Sequence, residues 1–99
     1  MNFGEPGQMA AACLAVEGEM TIYRAAELKP ALLEAVRASA APALDLSAVT
    51  EFDSAGLQLL LMARREAERL GKPLQVAAAS PAVRDVFTLL GMDLEGASA

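Results

Sequence analysis

The hydrophobic pattern divides the chain into short apolar runs and longer segments with helical spacing. Met9 to Val16 is an unbroken apolar run and predicts a buried strand. Glu17-Gly18 follows as a two-residue turn of hairpin type. Glu19-Met20-Thr21-Ile22-Tyr23 then alternates polar and apolar positions as the returning strand. From Ala25 to Ala38, Leu28, Leu32, Ala35 and Val36 recur at helical spacing. Pro30 falls inside that segment. A helix starting near Ala26 carries it in the first turn, where its missing N–H has no partner to lose, so the start is placed late. Ser39 to Pro42 reads as a linker, Ala43 to Ser47 as a strand and Ala48 to Asp53 as a loop. A second helix runs from Ser54 to Leu70, closed by Gly71 with Pro73 just beyond. Leu74 to Ala78 is a further buried strand. Ser80-Pro81 then supplies an N-cap serine and a proline at the first helical position, for a helix that stops at Gly91.

The order β-β-α-β-α-β-α predicts an α/β domain over residues 9–91, with short flexible termini at 1–8 and 92–99. Its sheet is expected to be mixed and four-stranded. The N-terminal hairpin forms one edge, and the last βαβ unit is a right-handed parallel crossover.

Chemistry concentrates at Phe52-Asp53-Ser54-Ala55-Gly56-Leu57, where a hydroxyl is offered at the start of a helix. The first helical turn has unpaired N–H groups and the positive end of the macrodipole, which stabilises an anion by roughly 0.3–1 kcal/mol. Serine is also a favoured capping residue, but Asp53 can cap instead and leave the Ser54 hydroxyl free. At 100° per residue, Gly56, Leu59, Leu60, Ala63, Ala67 and Leu70 share the side that buries against the sheet. Ser54, Leu57, Gln58, Leu61, Arg64, Arg65 and Glu68 share the other, where Leu57 and Leu61 form a stripe suited to a partner. Gly56 is accounted for equally by close packing of the helix on its sheet.

With 99 residues the chain has room for one core. Four aromatics in a composition that is 55% hydrophobic make that core one of Ala, Leu, Val and Met. The formal charge of −5 argues against nucleic acid, whose binding needs clustered Lys and Arg. Cys13 is the only cysteine; it cannot form an internal disulfide, and its apolar neighbours predict a buried core position. Met1-Asn2-Phe3-Gly4-Glu5 lacks the basic region of a signal peptide, and no apolar run approaches the ~20 residues that span a bilayer. A cytoplasmic protein without membrane insertion is expected.

An enzyme is not. The sequence has no histidine to act as a base, no cysteine pair and no carboxylate cluster with metal-ligand spacing. Asp45 and Asp53 could approach at the carboxyl edge of the sheet, but they read as loop caps. Arg84 and Asp85 read as a solvated face. Gly4-Glu5-Pro6-Gly7 precedes no strand–helix unit that would cradle phosphate. No cofactor or metal is expected.

The assembled pattern resembles the STAS domain, the fold shared by sulfate transporters and anti-sigma factor antagonists. The resemblance spans about Met9 to Gly91. Its most specific parts are Leu44-Asp45-Leu46-Ser47-Ala48-Val49-Thr50-Glu51-Phe52-Asp53-Ser54-Ala55-Gly56-Leu57 and Gly71-Lys72-Pro73-Leu74. Gly18-Glu19-Met20-Thr21-Ile22-Tyr23 and Ala25-Ala26-Glu27-Leu28-Lys29 are similar to bacterial stand-alone members, including those encoded beside chemotaxis genes.

In anti-sigma factor antagonists a partner kinase phosphorylates the residue at the Ser54 position. The unmodified form binds that kinase and displaces its sigma factor, and the phosphorylated form lets go. The resemblance therefore implies Ser54 as phosphoacceptor, with Asp53, Gly56 and Leu57 as the surrounding motif. It implies a non-enzymatic interaction switch with Asp53, Ser54, Gly56, Leu57, Gln58, Leu61 and Arg65 as partner contacts. The partner would be an anti-sigma-type serine kinase or a chemotaxis signalling protein. The alternative is a constitutive STAS subunit of a lipid-asymmetry ABC transporter, docked on its ATPase through the same helix start. Some STAS domains bind nucleotides, but no residue here independently supports that.

Overall fold

The computed structural model describes residues 13–92. Three parallel strands, β1 (Cys13–Met20), β2 (Ala43–Phe52) and β3 (Gln75–Ala79), lie side by side in that order. A 3₁₀ turn, Ile22–Arg24, leads from β1 into α1 (Ala25–Ala38). The helix α2 (Ser54–Arg69) joins β2 to β3, and α3 (Pro81–Leu89) follows β3. Two successive right-handed crossovers in one direction put α1 and α2 on the same face of the sheet. One continuous core results, with Val16, Met20, Leu44, Leu46 and Val49 beneath Leu28, Leu32, Leu59, Leu60, Val83 and Phe87. Among the described residues no helix is long and apolar enough to cross a membrane.

The expected hairpin is not formed, and the sheet of the described residues has three parallel strands rather than four in mixed order. Glu17 and Gly18 do not reverse the chain. Gly18 takes φ +78°, but as an irregularity inside β1, after which Glu19 and Met20 continue beside Glu51 and Phe52. Arg24 Nη1 donates to the Glu17 and Glu19 carbonyl oxygens at 2.6 and 2.9 Å, satisfying acceptors on either side of the glycine. Ile22 and Tyr23, expected in a returning strand, belong to the 3₁₀ turn instead. Residues 9–12 of the expected first strand lie outside the described residues, as do the expected flexible termini except Met92. Met92 packs half-buried against the core and donates its N–H to the Phe87 carbonyl at 2.9 Å.

The second strand is longer than its alternation suggests, and the expected loop from Ala48 is strand as far as Phe52. Its pairing with β1 slips twice, between Ala15 and Glu17 and between Gly18 and Glu19, each time with an additional residue on β2. Those bulges space the inward positions Leu46, Val49 and Phe52 by three instead of two. Cys13 is exposed rather than buried, because it shares with Ala15 and Glu17 the face of β1 opposite Val16. Pro30 also departs from expectation: α1 begins at Ala25, so Pro30 stands well inside it. Pro30 and Ala26 are both exposed, so the carbonyl that loses its N–H partner faces water. The remaining helix ends follow their signals, with Ser80 capping α3 through Val83 N–H and Gly71 at φ +72° ending α2.

Candidate functional site

The start of α2 is assembled by Asp53. Its Oδ1 accepts the N–H groups of Ala55 and Gly56 at 2.9 and 3.1 Å, so aspartate caps the helix. Its Oδ2 accepts the Ile22 N–H at 3.2 Å, tying the 3₁₀ turn to α2 across the molecule. Desolvation pushes the Asp53 pKa up, but the N–H groups of Gly56, Ile22 and Ala55 outweigh it and hold the carboxyl below the usual range. With Asp53 as cap, Ser54 becomes the first helical residue. It is exposed, and its hydroxyl makes no hydrogen bond to any described residue.

Gly56 fixes how closely this turn approaches the sheet. A Cβ at this position would collide with the Met20 carbonyl oxygen and stand 2.9 Å from the Phe52 ring. That ring stacks in turn on Phe87, with centroids 6.4 Å apart. Glycine is therefore required by a backbone contact, while its own conformation is ordinary helix.

Beside Ser54 lies an open groove of about 650 Å³, between the start of α1 and the start of α2. Asp53, Ser54 and Gln58 line it from one side, and Ile22, Ala25 and Lys29 from the other. Leu57, Leu61 and Arg65 do not line this groove. Leu57 is half-buried and packs on the core, Leu61 is half-buried, and Arg65 is exposed. Ser54 thus stands on the seam between the groove and the flank of α2 that carries Leu57 and Leu61. Asp45 is not brought to Asp53. It lies within β2 and accepts the Ser47 N–H and hydroxyl at 2.9 and 2.7 Å, the hydroxyl bond leading among the causes that lower its pKa. Among the described residues no group of three or more Cys, Asp or Glu side chains is placed to hold a metal ion.

The family model for "Mlab, STAS domain" matches residues 3–94. The chain belongs to the STAS domain family. Two solved structures agree in fold. The anti-sigma factor antagonist SpoIIAA, in its unphosphorylated form, superposes with a TM-score of 0.68 at 22% identity, over 89% of this chain and 76% of SpoIIAA. The STAS domain of a SulP transporter from Vibrio cholerae gives 0.61 at 20% identity, over 83% of this chain and 64% of that domain. A search of curated protein sequences finds no significant relative.

Ile22, Tyr23 and Lys29 are the residues of this region that the sequence pattern did not single out. Ile22 and Tyr23 are 64% and 88% exposed. Their place follows from the Asp53–Ile22 hydrogen bond, which joins positions 31 residues apart and has no local signature.

Proposed function

We propose that this STAS domain is a non-enzymatic protein-interaction switch, docking a protein partner in the cytoplasm at the start of α2 and releasing it when Ser54 is phosphorylated. One observation carries this reading: the capping position belongs to Asp53, so the exposed Ser54 hydroxyl is not used as the cap and is open to a kinase. The γ-phosphoryl group of a nucleoside triphosphate would pass to Ser54 Oγ. An O–P bond forms there as the bond to the β-phosphate oxygen breaks, and the hydroxyl proton leaves to the base of the kinase. The product adds about −1.5 to −2 charge at the helix start. The helix N-terminus accommodates that charge, whereas an apolar or acidic partner surface facing it does not. The domain would keep its fold and lose its partner. SpoIIAA, described as an anti-sigma factor antagonist in its unphosphorylated form, has the same fold and supports the analogy.

The test is intact-mass analysis of the protein recovered from its native cells, with the modified residue mapped. A phosphate-sized increase on Ser54 supports the switch, and a fully unmodified protein under every growth condition contradicts it. A second reading is favoured by the Mlab description of the matching family model and by the half-buried Leu61 flank. It is a permanent subunit docked on a transporter ATPase. In that case Ser54→Ala leaves the complex intact and no phosphorylated form exists.

A further inference from the structure

Most cations of this chain are already engaged. Of its eight basic side chains, Arg24, Arg37, Arg64 and Arg69 pair with carboxylates, and Lys72 and Arg84 donate to backbone carbonyls. Lys29 and Arg65 alone have no hydrogen bond or ion pair to any described residue. Arg65 lies about three turns along α2 from Ser54. Lys29 is different, because it lines the same groove as Ser54, from the wall of α1. Its own helix supplies no acid to pair with it, since Ala25, Ala26, Leu32 and Leu33 occupy the positions three and four residues away. Gln58 stands one turn after Ser54 on the wall of α2, likewise without a hydrogen bond to any described residue.

The backbone at the start of α2 is, by contrast, in use. Asp53 Oδ1 takes the Ala55 and Gly56 N–H groups, and the Asp53 carbonyl takes that of Leu57 at 3.0 Å. The helix dipole favours an anion at Ser54, but these three donors are not open to it. A phosphate there must find its hydrogen bonds in side chains.

We propose that Lys29 is the counter-ion of phosphorylated Ser54, its ammonium reaching across the groove to the phosphate with the Gln58 amide as second donor. The inference rests on the switch reading above and gives it a mechanism inside the domain. A phosphate offers three strong acceptor oxygens, enough for both side chains at once, and bonds of this charge-assisted kind are the strong ones. Lys29 and Asp53 are the charged side chains lining the groove, so the ammonium also offsets the repulsion between phosphate and carboxylate. Phosphorylation then acts twice. It adds charge where the partner docks, and it draws Lys29 over the groove so that α1 and α2 are bridged. Lys29 is a positioning residue, which holds the product and takes no part in the transfer.

Phosphoserine installed at position 54 during synthesis tests this without a partner or a kinase. The second ionisation of the phosphate, ordinarily near pH 6, is followed by phosphorus NMR. A neighbouring ammonium favours the dianion. The ionisation constant should therefore fall at least about threefold in Lys29→Met and stay near the parent value in Lys29→Arg. Lys72→Met removes one positive charge at the other end of α2 and should leave the constant unchanged. No change in Lys29→Met, or an equal change in Lys72→Met, overturns the proposal.

Lys29 and Lys72 are the only lysines of the chain, so amine labelling compares them within one molecule. With a small acylating reagent, phosphoserine should slow Lys29 about threefold or more relative to Lys72, because an ammonium held by phosphate gives up its proton less readily. Equal relative rates in the serine and phosphoserine proteins overturn the bridge. Failure in either measurement leaves the switch reading standing, which falls only if Ser54 carries no phosphate in the native cells.

Discussion

The two ends of α2 are built to opposite rules. At its finish, polar groups are paired off with one another. Glu66, with a side chain 11% exposed, takes Arg37 of α1 and Arg69 of its own helix, both at 2.8 Å. Lys72 Nζ donates to the Val36 and Arg37 carbonyls at 2.9 Å each, capping the end of α1. At its start, one carboxylate takes the first N–H groups of the helix, and around the open groove stand a Ser54 hydroxyl with no hydrogen bond among the described residues, an exposed Gln58 and an exposed Ile22, with the exposed Tyr23 next to it. One end spends its chemistry on holding two helices together, and the other keeps it available. A substitution at the finish should therefore change stability without touching recognition, and one at the start should do the reverse, with Gly56 and Leu57, which pack on the sheet and the core, as the exceptions.

Gly56→Ala is expected to have the largest effect on stability. The new methyl meets the Met20 carbonyl and the Phe52 ring, and the helix-propensity gain of alanine does not cover it, so unfolding by urea should show a loss of about 1–3 kcal/mol. An unchanged midpoint would mean that the start of α2 is not clamped to the sheet. Lys72→Met keeps the aliphatic stem and removes both carbonyl bonds. A loss of about 1 kcal/mol is expected, with partner binding unaltered.

Acid tests the same end of the helix. Hydrogen bonds from Arg69 and then Arg37 lower the Glu66 pKa from 4.5 to about 2. A lowered folded-state pKa stabilises above the unfolded value and is lost as pH falls through the folded one. Stability should accordingly decline between about pH 4.5 and pH 2, and Glu66→Gln should flatten that part of the profile. Equal profiles for the two proteins would show that the Arg37–Glu66–Arg69 cluster contributes nothing. The smallest stability effect belongs to Ser54→Asp, within about 0.5 kcal/mol of wild type, because the favourable helix N-terminus and the neighbouring Asp53 oppose each other. Leu57→Asp is a poor substitute for probing the partner surface. Leu57 packs on the core, so its loss of binding would be confounded with loss of fold.

The same division explains what could be read from the chain. Helix limits were legible because their signals are local: Ser80-Pro81 opens α3, Gly71 closes α2, and Leu28, Leu32 and Val36 are buried at the spacing that announced them. The cap of α2 was only half legible, because Asp53 and Ser54 are both favoured capping types and the sequence left the choice between them open, which the structure gives to Asp53. The strands were harder, since Gly18 carries the signature of a turn while sitting in β1, and the bulges of β2 erase its alternation after Leu46. The Tyr23 surface was invisible, because it depends on one hydrogen bond between distant segments. Helical spacing also grouped Gln58 with Leu57 and Leu61, whereas packing against α1 turns Gln58 into the groove and Leu57 toward the core.

The central claim is that the start of α2 holds a partner only while Ser54 is uncharged. Its most direct test is the affinity of the recovered partner, purified, for the wild-type domain and for the same domain carrying phosphoserine at position 54, both checked for equal thermal stability. The account predicts at least about a tenfold weaker complex with phosphoserine, equivalent to 1.4 kcal/mol. Equal affinity for the two forms would contradict it and leave Ser54 a docking residue of a permanent complex.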